Sequence, residues 1–537
     1  MFRARSKIFS LATGVAAVTL IYAYYLSDAH ESASENSEIA SEHKLWRGID
    51  SFPETLDAQK YISNQALAVL RDIGEGLVSF RSDGALVPGA AKSWEVSEDG
   101  LTYTFRLREN LRYSSGEPIV AQHFKNAFVA LFDADSAAPS RGYFSIIEGA
   151  SATLNGDADP KDIGVEVIAT DSLRIKLASV TPYFLELLTL PVTFPILEMD
   201  GKYVPSNGPY VVEKNNAPFS IELTRNTEYW NDSATSFDRV VFLQMEPEAE
   251  TRAFLAGELD ITSTVAAGQH ERLRKERPEE LKVGPGLGVF YVGISMAAEP
   301  LNRSSAIRAA LGAVIDRDEI VEKVTKRGEV PAMSFVPPGI SGYASPQPEF
   351  LKQSLSARIS NANAILKEAG YSPETPLSFT LDYYSSGLVE RVALAIKKQW
   401  EEHLPVSIEL NSQEPRLYVS KLRTPGEIEA FIGLWTGDFR DPSAFLKLFS
   451  SDHPNNFSYF DDKSVETLLG QSASESDVGE LMALYQQVEG LIQKEVPVIP
   501  IYYPVSKRLV ASDIAGFSSN PLNVVLSSSL YRVGDTE

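Results

Sequence analysis

The chain has 537 residues, 44% of them hydrophobic, enough to bury a large core and to form about three domain-sized units. Its formal charge of −23 and pI near 4.8 give a surface that repels nucleic acid and anionic lipid headgroups, so neither is an expected partner. The absence of cysteine excludes disulfides, thiolate nucleophiles, Cys-ligated zinc, iron–sulfur sites and a lipid-modified cysteine anchor.

Arg3, Arg5 and Lys7 precede an uncharged run from Ile8 to Leu26, and Ser27-Asp-Ala29 offers small residues where a signal peptidase reads. This predicts export directed by residues 1–29. The run is longer than a usual signal core and long enough to span a bilayer, so cleavage and retention as a membrane anchor both stay open. The Ser- and Glu-rich stretch up to residue 43 reads as a flexible tether.

Further on, Leu101, Tyr103, Phe105 and Leu107 alternate with polar residues, which predicts a half-buried strand in a hairpin with the stretch around Trp94. Phe124, Ala127, Phe128 and Leu131 sit at helical spacing over 121–133, after Val120, a poor cap that costs about 1 kcal/mol. Strands are predicted near 165–168, 173–177, 210–214, 219–225 and 289–295. Helices are predicted near 247–256, 304–314, 317–327 (ended by Gly328) and 357–369. Strand 376–384, helix 387–403 and strand 405–411 form a βαβ-like run. A helix over 477–495 and a strand over Val498–Val505 close the pattern.

No Gly-x-Ser-x-Gly, His-Glu-x-x-His, P-loop or dinucleotide fingerprint occurs, and the six histidines show no pair at metal spacing. Paired acids such as Asp461 and Asp462 read as solvated surface. An enzyme, a cofactor and a metal are therefore not expected. The stretch Trp435–Ser443 stands apart. An apolar strand-like run (Phe431, Ile432, Leu434, Trp435) ends in Gly437, and Asp441-Pro442 carries the chemistry of a helix N-cap and first helical residue. Asp438 lies too early to cap that helix. It is either a turn residue bonded to its own backbone or a carboxylate placed to meet a cation.

Several stretches, in order, resemble a known family: Gly89-Ala-Ala-Lys-Ser-Trp94 with Leu101–Arg108, Tyr113–Pro118, Asn207-Gly-Pro-Tyr210 with Arg225–Trp230, Ile307–Leu311 with Ile315-Asp-Arg317, Trp435–Ser443 and Pro500–Tyr503. Together the chain resembles the extracellular solute-binding proteins of family 5, most closely the periplasmic oligopeptide-binding proteins of ABC importers. The resemblance implies a periplasmic-binding-protein-like α/β fold of three lobes, two of them closing on a cleft and the third smaller. Lobe I would take 44–74, 207–288 and 505–537, lobe II 75–206 and lobe III 289–504. It further implies an extended peptide between lobes I and III, permease subunits in the inner membrane as partners, and a monomer.

By the same resemblance Asp438 binds the peptide α-ammonium and Arg423 its α-carboxylate. Trp435, Thr436 and Gly437 flank the site. The strand Ile62-Ser63-Asn64 pairs with peptide backbone, and Tyr502 and Tyr503 are aromatics near the cleft. The chain departs from the pattern where Ile432 replaces an arginine, Val389 a histidine, Arg416 a tryptophan and Ser140 a tyrosine. Fewer basic groups at the far end leave peptide length open. They also suit a receptor for another amine-bearing ligand such as a cell-wall peptide. A membrane-anchored peptide sensor or chaperone is the third reading.

Overall fold

The hydropathy periods resolve into three main sheets on separate apolar cores, with three two-stranded sheets beside them among the described residues. The computed structural model describes residues 43–136, 138–197, 206–266 and 268–534. The export segment, nearly all of the tether and part of the approach to Ser206 lie outside the described residues. Residues 45–537 form one compact unit.

The first sheet has four strands in the order Lys44–Ile49, Arg239–Gln244, Ser220–Arg225 and Tyr210–Asn216. Leu45, Tyr210, Ile221, Leu223 and Phe242 fill its core. The second, also four-stranded, runs Ala91–Val96, Thr102–Leu107, Ser172–Lys176, Val165–Ala169. The expected hairpin is present, with Trp94 opposite Phe105. Helix Ala121–Phe132 buries Phe124, Ala127, Phe128 and Leu131, and its cap residue Val120 makes no side-chain capping bond.

The third sheet has six strands, ordered Val330–Pro331, Val498–Tyr503, Gly288–Ile294, Ala430–Thr436, Leu377–Tyr384 and Val406–Gln413. All seven residues of Gly288–Ile294 are buried, as a central strand covered on both faces requires. Phe290, Val292 and Ile294 face one core, while Val289 and Tyr291 face another. That alternation is the two-residue period of a strand between two helical layers. Leu377–Tyr384 and Val406–Gln413 pair in parallel around helix Gly387–His403, which is the expected βαβ unit.

Between the first and second sheets the chain crosses twice at one neck. Asn207 closes it by accepting from Glu75 N–H at 3.1 Å and donating to Glu75 C=O at 2.7 Å. A Cβ on Gly208 would meet Gly74 N at 2.5 Å, so two backbones touch there because neither crossing residue has a side chain. Strands Leu281–Pro285 and Val505–Leu509 pair antiparallel, so the connections near 286 and 504 lie side by side.

Four local expectations change. Residues 62–64 are not a strand, since Ser63 caps helix Asn64–Ile73. The helix from Arg317 widens into a π turn over Ile320–Thr325 and ends on Lys326, which takes the left-handed conformation (φ 54°) ahead of Gly328. The last strand of the third sheet stops at Tyr503, where Pro504 supplies no backbone donor. The helix after the Asp438 turn begins at Ser443 with Pro442 in the cap position, although Asp441 still accepts Ser443 N–H at 2.9 Å.

Candidate ligand-binding site

Strand Ala430–Thr436 carries the chain to Gly437, whose N–H donates to Leu287 C=O at 2.8 Å. Gly437 is buried against Phe445 and Leu287, where a Cβ would sit 2.9 Å and 3.2 Å from their side chains. The next residue is thereby turned away from the core. Water reaches the Asp438 carboxylate, yet surrounding protein crowds it enough that burial pushes its pKa up, opposed by a hydrogen bond from Tyr143. No cation pairs with Asp438 among the described residues.

The two residues after Asp438 are fixed to the opposite side. Phe439 is buried among the second sheet's core, stacked on Tyr183 with centroids 3.8 Å apart and edge-on to Tyr143 at 6.1 Å. Arg440 gives Glu186 both its N–H, at 2.8 Å, and its Nε–H, at 2.7 Å. Asp441 is 2% exposed, and burial raises its pKa as well. The Asp438 turn is thus a rigid bridge from the third sheet to residues 143–186, with one carboxylate left facing outward.

Trp435 is half-buried. Its Nε1 donates to Ala444 C=O at 2.7 Å and its ring meets His453 edge-on at 6.0 Å. Thr436 is exposed beside it. Arg423 follows helix Pro415–Leu422, is exposed, and lines an open cavity of about 600 Å³ with His453, Phe457, Tyr459 and Asp461. His453 therefore joins the Trp435 neighbourhood to Arg423. No ion pair holds Arg423 among the described residues. Tyr459 (φ 51°) donates its hydroxyl to Leu422 C=O at 2.9 Å and so ties the cavity wall to the residue before Arg423.

The remaining expected residues behave differently. Ile62 is 76% exposed, but its N–H and that of Ser63 are already given to Glu54. Although burial works against it, these bonds and the Ser63 hydroxyl hold the Glu54 carboxyl down to about 2. Asn64 is the first helical residue. Residues 62 and 63 thus have no free backbone N–H to offer a peptide strand here. Tyr502 stacks on Phe290 at 4.5 Å, and the Tyr503 hydroxyl bonds Ser334 N–H and C=O at 3.1 Å and 2.9 Å. Both tyrosines are buried parts of the third sheet. Ile432 and Val389, which depart from the family's polar residues, are core residues of the same layer.

Sequence reasoning missed Tyr143. It lies three residues beyond Ser140 in the 3₁₀ helix Pro139–Ile146, where positions i and i+3 share a side. One turn along the helix supplies the tyrosine that position 140 lacks. Tyr61 was also missed. Its phenol is pushed up to about 12, first by burial and also by Asp438. No described helix is long and apolar enough to cross a membrane.

The profile of the bacterial extracellular solute-binding proteins, family 5 Middle, matches residues 85–457. The periplasmic murein peptide-binding protein MppA of Escherichia coli is 31% identical over 96% of this chain and 97% of its own length. A solved murein tripeptide-binding MppA, in its unliganded open form, superposes with a TM-score of 0.81 at 30% identity, covering 92% of this chain and 98% of that one. The Haemophilus influenzae OppA complex with RPPGFSPFR gives 0.75 at 28% identity, covering 92% and 100%. This is a family of solute-binding proteins, and its mixed α/β architecture is the one described above. The chain belongs to the bacterial extracellular solute-binding proteins of family 5.

Proposed function

We propose that this chain is a periplasmic receptor that captures short peptides by their free amino end and delivers them to the permease subunits of an ABC importer. The N-terminal run directs its export, and no lipid is attached because no cysteine can accept one. It acts as a monomer and without catalysis. The first lobe comprises 44–74, 207–288 and 505–537, the second 75–206 and the third 289–504. Each range holds one of the main sheets, and the neck at Asn207 with the paired connections near 286 and 504 supplies the places to bend.

The observation that carries this reading is Asp438, a crowded, outward-facing carboxylate without a cation, fixed on a rigid turn. A ligand ammonium completes it. Closure around the ligand then removes water from the pair. Breaking a buried pair from one side costs roughly 3–5 kcal/mol, a hundredfold or more in affinity. Asp438→Asn therefore abolishes tight binding of free-amine peptides while leaving the melting temperature of the empty protein nearly unchanged. N-acetylated peptides bind the native protein poorly and the Asn variant no worse. Equal affinity of the native protein for free and acetylated peptides, measured by calorimetry, makes Asp438 a turn residue and removes the reading's anchor. Relatives named as murein peptide-binding and as oligopeptide-binding proteins both support peptides as the ligand class.

A further inference from the structure

Asp461 and Asp462 are adjacent acids that the fold puts to different use. Asp462 is spent: its carboxylate accepts Ser464 N–H at 2.7 Å and Val465 N–H at 3.1 Å and so caps helix Lys463–Ser472. The Asp461 side chain is exposed, has no hydrogen bond and no ion pair among the described residues, and lines the cavity of about 600 Å³ that also holds Arg423. Its place in the chain is fixed from both sides. Asn456, only 8% exposed, accepts Phe460 N–H at 3.2 Å and donates to Phe460 C=O at 2.8 Å, which clamps the residue before Asp461. The helix cap holds the residue after it. A carboxylate held this way loses little freedom when a ligand meets it.

The cavity joins opposite charges that do not meet. Arg423 lines it from the end of helix Pro415–Leu422, again without an ion pair among the described residues. The Tyr459 hydroxyl, bonded to Leu422 C=O at 2.9 Å, ties the segment that carries Asp461 to the residue before Arg423. His453, the other basic residue of the lining, supplies no charge to Asp461. Its Nδ1 accepts Asn455 N–H at 3.2 Å, and burial, aided by Lys447 and opposed by Asp452, pushes its pKa down. One guanidinium and one carboxylate, both unspent, complement a ligand group that carries both signs. Phe457 and Tyr459 add ring faces to the same lining, against which an aliphatic stem can lie.

We infer that Asp461 is a recognition residue of this cavity, binding an ammonium on the side chain of the ligand's last residue while Arg423 holds that residue's carboxylate. The ligand class narrows to peptides whose carboxyl end carries an amine, as in a terminal lysine, where a flexible stem joins the two charges. In a chain of charge −23 a carboxylate by itself is one attraction among many for a cation. Arg423 is what sets Asp461 apart, because a guanidinium in the same cavity repels a bare cation and accepts one that brings a carboxylate. This rests on the peptide reading above and on Arg423 at its far end. It leaves Asp438, at the amino end, untouched.

Calorimetric titration of the full chain with Ala-Ala-Lys, and with the same peptide acetylated on the lysine side chain, tests it. The native protein prefers the free amine by about three- to fivefold, the scale of a charge pair open to water. Asp461→Asn has no side-chain bond to lose, so it keeps the native melting temperature. It abolishes the preference for the free amine, yet still binds Ala-Ala-Lys more tightly than its C-terminal amide. Equal affinity of the native protein for the two lysine forms overturns the inference. So does a preference that survives Asp461→Asn, which is then the pull of the whole acidic surface on any cation. A native protein indifferent to C-terminal amidation removes Arg423 from the cavity's work, and the inference falls with it. Loss of the acid-over-amide preference in Asp461→Asn also counts against it, since the substitution then disturbs the cavity and not one charge. Ala-Ala-Ala separates the two levels of the argument. If it binds while the lysine forms do not differ, only this inference fails. If none of the peptides binds, the peptide reading fails and takes this inference with it.

Discussion

Asp72 and Asp438 are both aspartates whose pKa is pushed up by burial, and they differ in their partners. Asp72 is 0% exposed, sits between Arg47 and Ser527, and has its acceptors filled from inside the molecule. Among the described residues Asp438 has one donor, Tyr143, and no cation, and it has an open side toward water. Burial alone does not separate a structural charge from a binding one. The completeness of the partner set does. A filled set locks segments far apart in sequence, here 47, 72 and 527, whereas an unfilled set leaves free energy for a ligand to supply.

The sharpest way to break this comparison is to damage each carboxylate in turn. Asp72→Ala strands a buried Arg47 and costs about 3–5 kcal/mol of stability. Denaturant unfolding shows the loss, while the peptide preferences of the protein that remains folded do not change. Asp438→Asn shows the reverse pattern. If Asp72→Ala shifts the preference for free amines, the division between locking and binding charges does not hold.

Glu75 extends the contrast to the neck. It accepts Tyr229 O–H and Trp230 Nε1–H at 2.6 Å each, and burial pushes it up to about 7 despite these bonds and Arg108. The folded state therefore holds this proton more tightly than the unfolded chain, whose carboxyl titrates near 4.5. Stability from Glu75 is fully present below the unfolded value and is lost as pH rises from there through about 7, by roughly 3 kcal/mol at most. Glu75→Gln flattens that part of the profile between pH 5 and 8. Glu250, also pushed up to about 7, contributes equally to both proteins and cancels in the difference. An unchanged slope in the variant means that Glu75 is ionised in the neck.

Arg423 tests the far end. It is exposed beside an open cavity, so a charge pair there is screened by water. Peptides amidated at the C-terminus bind the native protein about three- to tenfold more weakly than the free acids, and Arg423→Ala removes the difference. Equal affinities for acid and amide in the native protein take Arg423 out of the site.

Most of the fold was legible because period and burial agree: Phe124 to Leu131 on one helical face, Tyr103 to Leu107 alternating, Gly288–Ile294 apolar throughout. Asp438 stood out as a candidate because it follows an apolar strand and precedes the cap residue Asp441, although those residues alone left a turn role open. Residues 62–64 were misread as a strand because their donors go to Glu54, a contact eight residues back that no local pattern announces. Tyr502 and Tyr503 were expected near the cleft, and the Phe290 stack and the Ser334 bonds, which no local pattern announces, hold both buried in the third sheet. Tyr143 escaped because what distinguishes it is a partner hundreds of residues away.

The smallest expected effect belongs to Tyr143, and it is informative because its sign is fixed. The Tyr143 hydroxyl donates to Asp438 and so holds the carboxylate pKa lower than burial alone would. Tyr143→Phe removes that donor and keeps the ring that packs edge-on against Phe439. Asp438 then takes up a proton at higher pH. A protonated Asp438 cannot pair with an ammonium, so the acid limb of the binding profile for free-amine peptides moves to higher pH. Well above that limb, affinity falls by less than about fivefold, the scale of one hydrogen bond that water can partly replace. The profile for N-acetylated peptides does not move, because they never used the charge. A uniform loss of affinity at every pH, with the acid limb unmoved, assigns Tyr143 to shaping the cleft and removes it from tuning Asp438.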